Sequence, residues 1–441
     1  MAAQLPDDVI LEILLRLPAT DIARCRQVCR AWRSAIADPS FDRAHSAKRP
    51  SAAARVAAQH EVYYHGFFGL PRFRVTRIVA FDFFLRGEHA APLRPRALCF
   101  SSPHAQFTML VGSWDGVVCL KQGILQVHSR FDDVPREAPF GFYVHQFVLW
   151  NPVAMTSATV GVPGPDHRQH QLGHIIGGYA HLGTRRFHLL HASGETNGGF
   201  RISPTPFRIL SVGDDAAWRE LPFLLGEEDT FPEIIMGKGN VVRLHDNLHW
   251  LAQPSSSSSG TRMQLRVLVF DTTREKTPRR TVMCLWLARL GVLSKKLCIF
   301  TVEPSSSTME LWMLEGYDSG EATPRGSWRL EARISLITWD RSDLSRAFSA
   351  MAEVQVEVVE DDVVGKGEEE VLIKQMEGRI DSYNVRHKAW GVVGNVRTSF
   401  MAHESLVMHR ESLVQGQVSF GKASRALHKY IDFYGQRLYY L

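Results

Sequence analysis

What is scarce in this chain excludes more than what is abundant. Its 441 residues include six cysteines, Cys25, Cys29, Cys99, Cys119, Cys284 and Cys298, scattered among apolar neighbours. A disulfide framework needs density and a secretory context, and neither is present. The opening "MAAQLPDD" lacks a basic region, and Glu12 and Arg16 break the apolar run behind it, so it makes a poor signal peptide. No stretch approaches the about 18 uninterrupted apolar residues of a membrane span. None of the six asparagines stands in an Asn-X-Ser/Thr sequon. These absences predict a reduced protein of the cytoplasm or nucleus, with no membrane partner. A net charge of +5 is slight for this length. It falls far short of a dense basic face, so no nucleic-acid partner is expected.

Motifs of catalysis are equally scarce. There is no Gly-x-Ser-x-Gly elbow, no phosphate loop and no Gly-x-Gly-x-x-Gly fingerprint. Histidine is abundant at 19 residues. His167, His170 and His174 lie in "DHRQHQLGH", and His181, His188 and His191 follow, but their spacing is not that of a closed zinc site. His245 and His249 flank an Asp-Asn pair that reads as a hairpin turn, not as a helical zinc motif. No catalytic residue, metal ligand or cofactor is nominated.

What is present begins with "LPDDVILEILLRLPATDIARCRQVCRAWRSAI", residues 5–36. Pro6 suits a first helical turn, and Asp7 and Asp8 complement the positive end of the helix dipole. Asp8, Glu12 and Arg16 recur every fourth residue and form one polar stripe. Val9, Ile10, Leu11, Ile13, Leu14, Leu15 and Leu17 fill the rest of the circumference. A surface helix buries a single apolar stripe; this one is built to be covered from two directions. Pro18 ends it, and Thr20 with Asp21 opens a second helical stretch. Ile22, Cys25, Cys29, Trp32 and Ile36 mark its inward face, with a break expected near Cys29 and Arg30. Cys25 and Cys29 read as small apolar residues, since no second ligand pair lies nearby.

Leu5-Pro6, Ile13-Leu14, Leu17-Pro18, Val28, Trp32-Arg33 and Asp38-Pro39-Ser40-Phe41 together resemble the F-box, in register over roughly 40 residues. The resemblance implies a three-helix module that docks on a Skp-type adaptor and, through it, on a cullin–RING ubiquitin ligase. Carried over position by position, the adaptor contacts are Leu5, Pro6, Val9, Ile10, Ile13, Leu14, Leu17, Pro18 and Ile22. Val28 and Trp32 are either contacts or internal core.

The remainder is strand-rich, with short apolar runs between polar turns. Asp115-Gly116 in "TMLVGSWDGVVCL" and Asp246-Asn247 in "VVRLHDNLHWLA" predict hairpin turns. "LRVLVFDTTREKTPRRTVMCLWLA", "FRILSVGDDAAWREL", "MELWMLEGYDSGEATPRGSWRLEARI" and "RIDSYNVRHKAWGVV" also read as paired strands. Such units recur at intervals suited to propeller blades, with a two-sheet sandwich as the competing arrangement. "GSWDGVVCL", "VLWNP", "LHWLA", "LCIF", "ELWML" and "HESLVMHRESLVQ" are similar, in order, to landmarks of plant F-box-associated domains. The tryptophans of these runs are expected to pack in the core. The acidic stretch 353–370 opens like an edge strand, and the end, "FGKASRALHKYIDFYGQRLYYL", reads as an amphipathic helix followed by a strand.

The expected architecture is therefore α+β and multidomain. It comprises an F-box over 1–45, a linker or connecting helix over 46–60, and a mainly-β, propeller-like target-recognition domain over 61–441. The function the resemblance implies is recruitment of an unidentified target protein to a ubiquitin ligase, by a subunit that is not itself an enzyme. The alternatives are an enzyme on a propeller scaffold and an F-box protein with a structural or regulatory role.

Overall fold

The computed structural model describes residues 5–17, 19–38, 40–41, 44–45, 55–65, 71–82, 94–101, 105–127, 141–151, 156–161, 174–181, 183–184, 186–192 and 194–197. It also describes 201–204, 207–213, 218–221, 233–235, 241–253, 266–275, 288–303, 308–317, 327–336, 355–361, 368–374, 379–395, 406–409, 420–421, 425–426, 428–431 and 437–440. Side chains of the first three strands, Arg55–His65, Pro71–Asp82 and Arg94–Ser101, lie outside this description. His167 and His170 of the histidine-rich stretch do too.

The N-terminal part is helical: α1 (Asp7–Arg16), α2 (Ala19–Cys25) and α3 (Arg30–Ala37). The expectation of a three-helix module is corrected to one with two substantial helices, α1 and α3. The seven residues of α2 make under two turns at about 3.6 residues each, and the chain then loosens into a turn at Arg26–Val28. Among the described residues no helix is long and apolar enough to cross a membrane.

The strands form hairpin by hairpin, wherever two apolar runs flank residues able to take positive φ. Asp115 and Gly116, at φ 47° and 77°, join Ala105–Trp114 to Val117–Val127, as the sequence predicts. In the second predicted hairpin the turn falls one residue earlier, on His245 and Asp246 at φ 49° and 57°. That register sends Leu248, Trp250 and Ala252 into one core and Leu251 into the next; a one-residue slip would exchange the two faces. "LRVLVFDTTREKTPRRTVMCLWLA" is not a hairpin. Arg266–Asp271 pairs with Asn247–Gln253, whereas Ala288–Leu293 pairs with Lys296–Glu303 in the following sheet.

The expected propeller is overturned. The described strands make six open sheets of four to six strands, with no closed propeller or barrel. Regular blades need equal, self-contained hairpin units, and here strands are shared out unequally. Gly194–Asn197 and Arg201–Pro204 leave the sheet of their chain neighbours for the next one. Arg437–Tyr440 lies parallel to Arg94–Ser101, from the other end of the chain. A strand, Arg55–His65, also occupies part of the stretch expected to be a linker or connecting helix. Towards the end of the chain, Arg425–Ala426 and His428–Ile431 are strands where an amphipathic helix was expected, and Arg437–Tyr440 is a strand, as the final part of that stretch was expected to be. Gln355–Asp361 does sit at the edge of its sheet.

Successive sheets pack face to face. Cys119, Phe147 and Leu149 meet Phe187, Leu189 and Val212. On the reverse of that second sheet Tyr179, Leu190 and Ile209 meet Leu248, Trp250 and Phe270. Leu251, Val267 and Val269 meet Leu297, Ile299 and Leu314, and Phe300, Leu311 and Met313 meet Val371, Ile373 and Tyr383. Trp150 and Trp250 are fully buried, and Trp114, Trp312, Trp328 and Trp390 pack partly buried against these clusters.

Polar groups tie the sheets at their rims. The Tyr179 hydroxyl donates to Glu275 at 2.9 Å, His188 Nδ1 lies 3.0 Å from the same carboxylate, and Arg219 pairs with it. Burial raises the Glu275 carboxyl, but hydrogen bonds from His188, Arg219 and Tyr179 outweigh it and bring the group down to about 2. His181 stacks on His188 at 4.8 Å. Asp115 accepts from the Ala180 amide at 2.8 Å and pairs with Arg243.

Two predictions follow from this packing. Gly213 has φ +85°, and a Cβ there would run into the backbone carbonyl of Phe420, whose ring is buried against Phe187. Gly213→Ala is expected to cost about 1–3 kcal/mol and to make the segment after Phe420 more sensitive to limited proteolysis. The second concerns acid. Burial above all pushes His249 down to about 4, against backbone hydrogen bonds that raise it. A histidine whose folded pKa is depressed contributes stability that is full above the unfolded value, about 6.5, and is lost as pH falls toward 4. Glu275 adds a loss from about 4.3 down to about 2. Thermal midpoints should therefore fall with pH below about 6.5, with a shallower slope in His249→Gln; a flat profile from pH 7 to 4 would contradict this.

Candidate functional site in the helical module

The helical module has a small core of its own. Leu14, Leu15, Ile22, Ile36 and Phe41 are buried together, with Ile10, Leu17, Cys25, Trp32 and Ala44 packed around them. Both ends of α1 and of α3 are tied off locally. Pro6 is the N-cap of α1, and its carbonyl accepts from the Val9 and Ile10 amides at 3.1 Å. The expected polar stripe is realised: Arg16 donates to Glu12 from Nε at 3.1 Å and from a terminal nitrogen at 2.9 Å. Both side chains are well exposed, so the pair is worth about 0.3–0.5 kcal/mol.

The predicted break occurs where expected, and Cys29 has a different role from the one assigned. It is the N-cap of α3, with extended backbone, and its Sγ accepts from the Trp32 amide at 3.4 Å. It is exposed rather than part of the inward face, because the turn before it ends the helical phase that would have aligned it with Cys25. Arg33 Nε donates to the Arg26 carbonyl at 3.0 Å and fastens that turn to α3. After α3, the Asp38 carboxylate accepts from the Ser40 amide and hydroxyl at 2.7 and 2.6 Å. This turn delivers Phe41 into the core, stacked on His45 at 5.9 Å. His45 Nε2 in turn lies 2.7 Å from the Leu17 carbonyl, one of the unpaired acceptors at the end of α1. His45 went unmarked in the sequence because a bond across 28 residues leaves no local pattern.

The positions singled out in the sequence divide into two sets. Leu14 and Ile22 are fully buried inside the module. Leu5, Pro6, Val9, Ile13 and Val28 are exposed, and Ile10, Leu17 and Trp32 lie half-buried between. Pro18 lies outside the described residues. Leu11, also exposed, was not among the nominated contacts. It precedes Leu14 and Leu15 by three and four residues, so it extends their face one turn beyond the core. Leu5, Val9, Leu11, Ile13 and Val28, between 39% and 63% exposed, are the exposed large hydrophobic residues found among the described residues. Thus α1 spends one part of its circumference on the module core and leaves another to solvent.

This division predicts opposite responses from neighbouring leucine and isoleucine residues. Leu14→Ala is expected to cost the module about 2–5 kcal/mol and to speed amide exchange throughout α1 and α3. Ile13→Ala should change local stability by less than about 0.5 kcal/mol. Hydrogen-exchange mass spectrometry of the two variants checks this; equal effects would mean that the two faces are wrongly divided.

A family model described as F-box-like matches residues 2–46. A putative F-box protein of Arabidopsis thaliana is 46% identical over 46 residues, 10% of this chain and 12% of its own length. A second from the same plant is 41% identical over 51 residues, 12% of this chain and 14% of its own. The chain therefore matches only about an eighth of the length of these curated relatives. Among solved structures, Zg3597, a family 117 glycoside hydrolase of Zobellia galactanivorans, gives a TM-score of 0.29 at 9% identity, over 52% of this chain and 69% of its own. Apo AztD from Citrobacter koseri gives 0.28 at 12% identity, over 80% and 97%. Likeness at that level carries no argument. Residues 2–46 constitute an N-terminal F-box domain, similar to that of plant F-box proteins.

Proposed function

We propose that this chain is the substrate-recruiting subunit of a Skp–cullin–F-box type ubiquitin ligase. The observation that supports the reading is the concentration of exposed large apolar side chains on one small module that already has a core. Such side chains cost free energy in water and gain it in a contact. The adaptor would cover Leu5, Pro6, Val9, Ile13 and Val28, together with Leu11, and would meet Ile10, Leu17, Pro18 and Trp32 at the margin. Leu14 and Ile22 would hold this surface from beneath. A contact of ordinary size buries about 1,200–2,000 Å² in total, with a few central anchors dominating. The division into an F-box over 1–45, a connection over 46–60 and a recognition part over 61–441 belongs to the same reading, as does the kinship of the latter with plant F-box-associated domains.

The mechanism requires no reacting side chain in this chain. Tethering the target near a ubiquitin-charged enzyme turns a bimolecular encounter into an effectively intramolecular one, at effective concentrations of the order of millimolar. The strand-rich part would supply target recognition in the cytoplasm or nucleus.

The test is co-purification of the full chain with a Skp-type adaptor, beside Val9→Asp and Ile13→Asp. Both sites are exposed, so folding should survive, which circular dichroism checks. Wild type is expected to bind. Each variant should weaken binding by about 2 kcal/mol, roughly 30-fold, because a carboxylate would be buried in an apolar contact. Failure of the wild type to bind any Skp-type adaptor overturns the proposal.

A further inference from the structure

One group of charged and polar side chains in the strand-rich part takes no share in the core packing described above. It closes one end of the space between the sheet containing Val117–Val127 and the sheet containing Arg186–Ala192. Cross-strand partners share a face, so the rows across this space can be followed residue by residue. On the first sheet, Cys119, Leu149 and Ala158 form an apolar row inside the shared core. Two residues further on, the same face carries Lys121, Phe147 and Val160. On the opposing sheet, Leu189 and Leu210 make the corresponding apolar row. The next row there is Ile175, His191 and Arg208. Lys121 on one wall thus faces the space that His191 and Arg208 face from the other.

His191 is fully buried, and neither of its ring nitrogens has a hydrogen-bond partner among the described residues. A neutral imidazole carries one donor and one acceptor, and burying both unmet is unfavourable. The ring sits 5.3 Å from Trp218, whose indole N–H donates to the Gly161 carbonyl at 3.1 Å. His174 Nε2 is likewise buried without a partner. Arg208 pairs with Glu220 at 3.1 Å. Lys121 makes no hydrogen bond or ion pair to another described residue, and burial lowers its pKa. Burial first, and then the charges of Arg208, His174 and Lys121, hold His191 at about 3. Positive charge and unmet nitrogens converge here from two sheets.

We propose that this inter-sheet site binds a small anionic group, a phosphate or a carboxylate, through Lys121, Arg208 and the imidazole of His191, with Trp218 as its wall. An oxyanion supplies several acceptor positions on one centre. It can take a charge-assisted bond from the ammonium and one from the imidazole N–H at once. The group is either a free ion or the acidic end of a larger ligand. The site stands independently of whether the helical module binds an adaptor.

The test is thermal unfolding of the full chain in sodium phosphate and in sodium acetate, against sodium chloride at equal ionic strength and pH. A bound anion raises the midpoint by mass action, and a saturable rise of a few degrees is expected. A response to phosphate alone identifies a phosphate group, and a response to acetate alone a carboxylate; either supports the site. Lys121→Met and His191→Asn should abolish the rise, whereas Lys295→Met, in an exposed turn elsewhere, should keep it. Should Lys121→Met fail to fold, His191→Asn decides alone. The absence of any saturable shift beyond chloride, or a shift retained in the folded variants, overturns the proposal.

Discussion

The strand-rich part rests on one constraint: its central sheets must bury both of their faces. The strand His174–His181 shows the consequence, since every residue between its two ends is buried. Ile175 and Ala180 serve the core on one side, and Ile176 and Tyr179 serve the core on the other. A strand bounded by water on one side would alternate apolar and polar residues; this one reads as a continuous run. Register then becomes decisive, because a slip by one residue exchanges two different cores instead of a core and a surface. The bulge between Ile175 and Gly177 belongs here, as it lets Ile175 and Ala180, an odd number of residues apart, serve the same core.

The same economy leaves polar chemistry at the rims. Tyr179 and His188 are buried, yet their polar atoms reach Glu275 in the turn that follows Arg266–Asp271 of the neighbouring sheet. Backbone amides are recruited as well, as Ala180 shows with Asp115. At such rims a polar atom either finds a partner across the sheets or stays unmet, and His191 is the clearest case of the second.

In the helical module the constraint is different. Some forty residues cannot bury every apolar side chain of α1 against α2 and α3. The core takes Leu14 and Leu15 fully and Ile10 and Leu17 in part, and leaves Val9, Leu11 and Ile13 outside. His45 and Phe41 close the far end by returning to the end of α1. The surface left over is therefore held on a small, internally braced body rather than on a loose helix.

Local chemistry in the sequence determined a good deal. It was sufficient for the polar stripe of α1, the break before Arg30, the Asp115-Gly116 turn, the edge position of Gln355–Asp361 and the F-box over the first forty-odd residues. Each depends on neighbours within a few residues, where spacing and turn chemistry act directly. Only the tertiary structure decided which apolar residues of α1 face inward, because Leu14 and Ile13 are chemically alike and differ only in what packs against them. It also decided that the hairpins assemble into six open sheets and not into a closed propeller, and that the end of the chain pairs as strands with Thr156–Gly161 and Arg94–Ser101. Pairings between residues hundreds of positions apart leave no periodic trace in one chain, since the free energy that selects them arises only when the distant surfaces meet.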